Sequence, residues 1–307
     1  MSFSSAVKEE LCASITDRDK KYACLYGMLL FCKCFNQSGV ILQTEQEGVA
    51  ELFCVLADDV LSKTGVVSVT ASPKSNQSTV FTLRVENRYD RLALLSRYKV
   101  PSDELWHRIQ MENVDVNGLD GFLSGVYLVS GSAIDPNREY HLEFVTPSES
   151  LAKELGKLLA GLGMNAKISE RKNQQVVYIK GSENIEDLLT FMGAQMAALE
   201  IMNIKILKDV RNKANRIANC DTANIEKTVV ASARQIEDIE VIQERMGLDS
   251  LSDELREVAE IRLEYPELSL REIGQMLENP IGRSGVNHRI KKLAQIAKDI
   301  TDFKKMI

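Results

Sequence analysis

The stretch Leu123–Gly131, LSGVYLVSG, decides how the rest of the chain is read. It is apolar apart from two serines, with Gly125 at its centre and Gly131 closing it. A glycine inside a helix costs about 1 kcal/mol relative to alanine. One held at the middle of an apolar helix therefore points to a second backbone passing very close. A similar stretch, Leu25–Lys33, LYGMLLFCK, carries Gly27 in the corresponding place. Together they predict two helices that cross at Gly27 and Gly125.

Aligning those two glycines reveals one unit written twice, about 98 residues apart. The apolar helices are expected over Lys20–Phe35 and Leu119–Ser132. Each is followed by a strand, Val40–Thr44 and then Tyr140–Val145. Amphipathic helices follow over Val49–Lys63 and Ser148–Leu162, the second opened by Thr146-Pro-Ser-Glu149 read as a capping box. Strand pairs come next, Val66–Ala71 with Thr79–Val85 and Ala166–Ser169 with Gln175–Ile179. The polar links Ser72–Ser78 and Glu170–Gln174 suit hairpins. Helices over Arg91–Tyr98 and Ile185–Ala198 close the units. The expected fold class is thus α+β, a pseudo-twofold αββαββα-type duplicated domain followed by an all-α domain. Its divisions are residues 1–204, with repeats of about 1–105 and 106–204, a polar basic helical connector at 205–244, and a C-terminal domain at 245–307.

Charge narrows the function classes. The 307-residue chain has a formal net charge of −6, which argues against a generic nucleic-acid coat. Yet Ile201–Arg234 holds seven Lys/Arg against three Asp/Glu, and Arg283–Lys305 seven against two, so the remainder carries −15. Basic charge concentrated in two places on an acidic protein is the footprint to follow. No window approaches the roughly 20 apolar residues that span a bilayer, and the first residues lack the pattern of a signal peptide. A cytoplasmic location is expected, without membrane contact. Cys12, Cys24, Cys32 and Cys34 fall in or near one apolar helix without His or Cys partners at ligand spacing, so the reading is reduced core cysteines rather than a metal site.

The C-terminal basic region has a definite pattern. Ser269-Leu-Arg-Glu272 is a capping box opening a short helix to Leu277. Asn279-Pro-Ile-Gly282 breaks it, and Ser284 is the expected N-cap of the next helix. Leu270, Ile273, Leu277, Ile281, Val286, Ile290 and Leu293 supply a tri-helical core, with Gly274 at a close crossing. This is a helix-turn-helix pattern. Ser284, His288, Lys291 and Lys292 then face outward, with Asn287 and Arg289 at the flanks. Asn and Arg pair with adenine and guanine edges, while basic side chains hold phosphates. The plainer alternative is a solvated basic face on a bundle helix.

LSGVYLVSG resembles the core of the LAGLIDADG motif of homing endonucleases, and LYGMLLFCK is a weaker match. In that family two such helices pack along a pseudo-twofold and each brings an acid to bound divalent metal. The resemblance puts those acids at Ser130 and Cys32, and neither is the hard oxygen ligand that magnesium requires. His141 and Glu143 share a strand face near Asp135, which loosely fits a metal site; a polar outer face of a half-exposed sheet is the preferred reading.

Three runs, SLREIGQMLENPIGRSGVNHRIKKL, NRIANCDTANIEKT and GSAIDPNREYHLEF, resemble the WhiA family across essentially the whole chain. That resemblance implies a non-catalytic domain of the homing-endonuclease kind followed by a sigma-factor-like helix-turn-helix. It also implies a role in transcription and sporulation, or in cell division and chromosome segregation. The implied partner is double-stranded DNA, with protein partners in transcription or division, at the nucleoid. The DNA-binding candidates are Ser269, Arg271, Arg283, Ser284, Asn287, His288, Arg289, Lys291 and Lys292. Arg211, Lys213, Arg216 and Lys227 are candidates for backbone contacts, or simply a solvated helix face. No catalytic residue, metal or cofactor is expected. The competing readings are a residual metal-dependent endonuclease and a protein-interaction or ligand-binding module in the N-terminal domain.

Overall fold

The computed structural model describes residues 2–74, 78–101, 108–114 and 117–305. The expected junction between 105 and 106, and the middle of the Ser72–Ser78 link, lie outside them. The chain divides into two compact units, Met1–Lys208 and Asp209–Ile307.

The first unit contains the repeat. Its first copy runs through helix α1 (Phe3–Ser14), helix α2 (Arg18–Phe31), strands β1 (Cys34–Asn36) and β2 (Gly39–Thr44), helix α3 (Glu47–Leu61), strands β3 (Ser68–Pro73) and β4 (Thr79–Arg84), and helix α4 (Arg88–Arg97). Its second copy runs through helix α5 (Leu119–Ser130), strands β5 (Gly131–Ala133) and β6 (His141–Thr146), helix α6 (Glu149–Gly161), strands β7 (Ala166–Arg171) and β8 (Gln174–Lys180), and helix α7 (Ser182–Met192). The sheets have the same antiparallel order, β1-β2-β4-β3 and β5-β6-β8-β7. The duplication expected from the sequence is present, each copy carrying one short strand, β1 or β5, beyond the three expected. Helix α1 lies outside the repeat pattern and had no place in it.

Several boundaries differ from expectation for identifiable reasons. Both apolar helices end early, at Phe31 and Ser130, because the chain turns into the short strands β1 and β5. Cys32 and Cys34 therefore do not lie within a helix. Thr146 does not open α6: it is still paired with Gln175 in the β6–β8 ladder. Ser148 is the cap, accepting from the Leu151 N–H at 3.2 Å. The helix expected over Ile185–Ala198 is interrupted at Gly193, which adopts φ +105° and ends α7.

Helix α8 (Gln195–Arg245) starts in the first unit and ends in the second. Its amino end is anchored by Glu10 of α1, whose carboxylate accepts from Met196 N–H at 2.6 Å and Ala197 N–H at 3.1 Å. A carboxylate there also meets the positive end of the helix dipole. The stretch 205–244 is the body of this one helix.

The second unit joins the end of α8 to α9 (Asp253–Glu264), α10 (Leu270–Met276) and α11 (Arg283–Lys305). Ile239 and Ile242 of α8 belong to its core with Val258, Ile273, Leu277, Val286, Ile290 and Leu293. Leu270 and Ile281 pack against it half-buried. No helix among the described residues is long and apolar enough to cross a membrane.

Candidate nucleic-acid interface

The candidate reader is built by the loop that leads into α10 and the turn that leads out of it. Ser269 accepts from the Glu272 N–H at 3.3 Å while the Glu272 carboxylate takes the Ser269 N–H at 2.8 Å. These bonds close the expected capping box and hold the Glu272 carboxyl below its ordinary range. Underneath lies Arg262, only 1% exposed, donating to the carbonyls of Pro266 (3.2 Å) and Leu268 (2.7 Å). Ser232 of α8 donates to the same Pro266 carbonyl. A buried guanidinium thus fixes the approach to α10. Burial lowers its pKa from the usual value, yet its carbonyl partners satisfy much of what desolvation removes.

The outgoing turn is set by Gly274. A Cβ there would stand 2.2 Å from the Ile281 carbonyl oxygen and 3.1 Å from a Val286 methyl. Ile281 N–H also donates to the Gly274 carbonyl at 3.0 Å. The closest approach is therefore to the turn backbone, with a side chain of α11 next to it. Helix α11 begins at Arg283, with the Gly282 carbonyl accepting from Gly285 N–H at 2.9 Å and Val286 N–H at 3.2 Å. Ser284 is consequently not the N-cap but an exposed residue of the first turn.

With Val286, Ile290 and Leu293 turned into the core, Arg283, Ser284, Asn287, His288, Lys291 and Lys292 are exposed on the opposite side. Arg271 is exposed on α10, and Ser269 is half-buried in its cap. Arg289 differs from the others. Its side chain is 16% exposed and lies 3.4 Å from Glu254 of α9. On α8, Arg211, Lys213, Arg216 and Lys227 are all exposed. Lys208 is tied down, donating to the Pro136 carbonyl at 2.6 Å and lying over the Tyr140 ring.

The paired motif helices are the second place to look for chemistry. A Cβ at Gly27 would meet the Phe122 carbonyl oxygen at 2.4 Å, and one at Gly125 the Cys24 carbonyl oxygen at 2.1 Å. Cys24 and Phe122 occupy equivalent places in the two repeats, so the contact is reciprocal. Gly121, one turn before Gly125, makes a third such approach, to the Lys20 backbone at 2.6 Å. At the ends of these helices the polar atoms turn inward. Ser130 donates to the Val126 carbonyl at 2.8 Å, and the Cys32 thiol to the Cys34 carbonyl at 3.0 Å. Burial pushes that thiol up to about 12, so it is uncharged at neutral pH.

The His141–Glu143 pair is not on an open polar face. His141 is buried, its Nε2 lies 3.0 Å from the Glu143 carboxylate, and its ring stacks on Tyr178 of β8. Arg171 completes the pairing of Glu143 at 3.4 Å. Asp135 stands apart, its carboxylate accepting from the backbone and side chain of Asn137.

Two family models match the chain, the WhiA LAGLIDADG-like domain over residues 119–211 and the WhiA C-terminal HTH domain over 214–297. A protein of Clostridium perfringens (strain SM101 / Type A), named "Probable cell division protein WhiA", is 40% identical over 312 aligned positions, spanning 98% of each chain. The chain belongs to the WhiA family. A WhiA of Clostridium novyi (strain NT), with the same printed name, is 38% identical over 98% of each chain. A crystal structure of full-length WhiA from Thermatoga maritima is 25% identical, with a TM-score of 0.58 over 97% of this chain and 99% of that one. The WhiA models cover both places just described, the second motif helix and the α10–α11 segment.

Reading by sequence missed Arg262, Gly121 and the Arg289–Glu254 pairing. Only Gly121 left a sign, since its spacing of four from Gly125 puts both glycines on one helix face.

Proposed function

We propose that this WhiA-family chain is a sequence-specific DNA-binding protein that regulates transcription and acts in bacterial cell division and chromosome segregation, with no catalytic step of its own. The observation that carries the reading is the exposed amino-terminal half of α11. There Ser284, Asn287, His288, Lys291 and Lys292 stand free of the core within a segment that matches the WhiA HTH domain. A recognition helix uses its first turns for base edges and its basic residues for phosphates. In this reading Asn287 is the base-reading side chain, and Arg283, His288, Lys291 and Lys292 hold backbone. Arg211, Lys213, Arg216 and Lys227 add further phosphate contacts. The functional division is a scaffold at 1–204, a connector at 205–244 and a reader at 245–307, working in the cytoplasm at the nucleoid.

The non-catalytic part of the proposal is supported by Ser130 and Cys32. Both side chains are neutral and bonded to their own backbone at the ends where a LAGLIDADG nuclease would present carboxylates. The cell-division part is supported by the printed names of the relatives. The test is genome-wide crosslinking of the protein to its sites, followed by gel shift on the recovered duplexes. Asn287→Ala is expected to erase the preference for those sites over scrambled sequence. Lys291→Ala is expected to weaken binding to both kinds of duplex. Undiminished affinity and preference in both variants would refute the reading.

A further inference from the structure

Beside the last turn of α5, the first unit holds an open polar cavity of about 640 Å³. It is lined by Lys8 of α1, Gln43 to Gln46 at the end of β2 and the turn into α3, Lys74 after β3, Val80 and Val129. Glu45, the one carboxylate in that lining among the described residues, is ion-paired with Lys74. Among the described residues the Lys8 ammonium makes no hydrogen bond or ion pair, and it lies 6.0 Å from the centre of the Tyr127 ring. Burial holds Lys8 down at about 8, against the weaker opposing influence of Cys12 and Glu45. An ammonium partly withdrawn from water, with Glu45 acting on it only at a distance and no bonded counter-charge among the described residues, gains from a nearby anion.

The surroundings suit a tetrahedral oxyanion better than a carboxylate. Two lysines line the cavity from different elements, and Gln43 and Gln46 line it beside them. The amide of Gln43 is oriented by Lys33, which donates to its Oε1 at 3.3 Å, and by Thr82, which accepts from its Nε2 at 3.2 Å. Gln46 is held by Ser5 of α1 at 3.1 Å. Donor-bearing side chains gathered from α1, the end of β2 and the segment after β3 suit a group with three or more acceptor oxygens.

We infer that this cavity is a phosphate-binding site in which Lys8 supplies the unpaired charge and Lys74, already ion-paired with Glu45, an additional donor. The phosphate comes from one of two sources. If it belongs to a DNA backbone, the site extends the proposed DNA-binding function to the first unit and rests on that reading. If it is free phosphate or pyrophosphate, the site is independent of it.

The experiment follows the lysine side-chain carbon signals of the full-length protein by NMR, with the Lys8 signal assigned by its loss in Lys8→Met. Inorganic phosphate, pyrophosphate and a short DNA duplex are added in separate titrations. The expected result is that at least one of them shifts the Lys8 signal and raises its titration midpoint. Lys8→Met is expected to weaken that ligand's binding at the first unit about tenfold or more, and Lys8→Arg to keep it. A response to duplex assigns a backbone phosphate, and a response to inorganic phosphate or pyrophosphate alone assigns a small ligand. A Lys8 signal indifferent to all three overturns the site. Repeating the titrations in Asn287→Ala/Lys291→Ala, altered only in the second unit, separates this outcome from failure of the α11 assignment. In that variant the inorganic arms must be unchanged.

Discussion

The crossing of α2 and α5 and the first turns of α11 are both places where a WhiA chain departs from ordinary helix chemistry, but in opposite senses. At the crossing, glycines remove side chains so that two backbones touch, and the polar atoms at the helix ends are folded back on their own carbonyls. On α11, polar side chains project into solvent without core partners. The first arrangement is a close-packed crossing in which the glycines serve the fold. The second offers a surface whose removal leaves the fold intact. A residue's contribution to stability and its contribution to recognition are therefore expected to separate cleanly between these two regions.

Gly125→Ala tests the first side of that contrast and has the largest expected effect. The new Cβ would stand 2.1 Å from the Cys24 carbonyl oxygen, and neither backbone can yield without parting the helices. A loss of about 4 kcal/mol or more, at the exceptional end for single substitutions, should appear as an earlier unfolding transition of the first unit. That of the second unit should not move. Asn287→Ala should show the converse. Thermal unfolding should stay within about 0.5 kcal/mol of the parent, while affinity for the recovered duplexes falls by about 2 kcal/mol. A large stability loss in Asn287→Ala, or none in Gly125→Ala, would dissolve the distinction.

How much of this was written legibly in the chain follows the same division. Gly27 and Gly125 were readable because a costly residue recurs at matched places. Val286, Ile290 and Leu293 were readable because helical spacing exposes a core stripe. Short strands were not: β1 and β5 follow directly on apolar helices, and three residues carry too little alternation to be seen. Burial of charged side chains was also invisible. Nothing local to Arg262 says that the Pro266 and Leu268 carbonyls will enclose it. His141 likewise reads as half-exposed until Tyr178 stacks on its ring. In each case the decisive partner comes from another element or a loop, and spacing alone does not disclose it. The candidate reader was legible in outline, yet its N-cap was misplaced because the Gly282 carbonyl does the work expected of the Ser284 hydroxyl.

Lys8 belongs to the scaffold side but is charged, and its titration gives a smaller effect. Its pKa is lowered from 10.5 to about 8 in the folded protein. Below pH 8 the folded state holds a penalised ammonium. Between about pH 8 and 10.5 the unfolded chain binds more protons, so Lys8 makes stability rise with pH. Lys8→Met should therefore stabilise the first unit at pH 7 by on the order of 1–2 kcal/mol, with the gain fading by the upper end of that window. Equilibrium denaturation at three pH values measures it, and a constant difference would mean that Lys8 packs rather than titrates. On the reader side, Ser269→Ala removes half of the capping box. It should cost the second unit about 1 kcal/mol, seen as a fall in its melting temperature.

The smallest expected effect lies where the two kinds of behaviour meet. Arg289 sits on the candidate reader helix, yet its guanidinium is mostly covered and 3.4 Å from Glu254 of α9. Glu254 itself is 74% exposed, so the pair is screened and should contribute no more than about 0.5 kcal/mol. Glu254→Gln is accordingly expected to leave the melting temperature of the second unit almost unchanged. Its effect on duplex binding decides what Arg289 is for. If Arg289 merely steadies α11 against α9, affinity stays the same and its salt dependence keeps its slope. If Arg289 swings out to a phosphate or a guanine when DNA is present, breaking the pair removes a competitor and binding tightens by up to about twofold, the equivalent of that same half kilocalorie. Tighter binding by Glu254→Gln, abolished again when Arg289→Ala is added, would move Arg289 from the scaffold to the recognition surface.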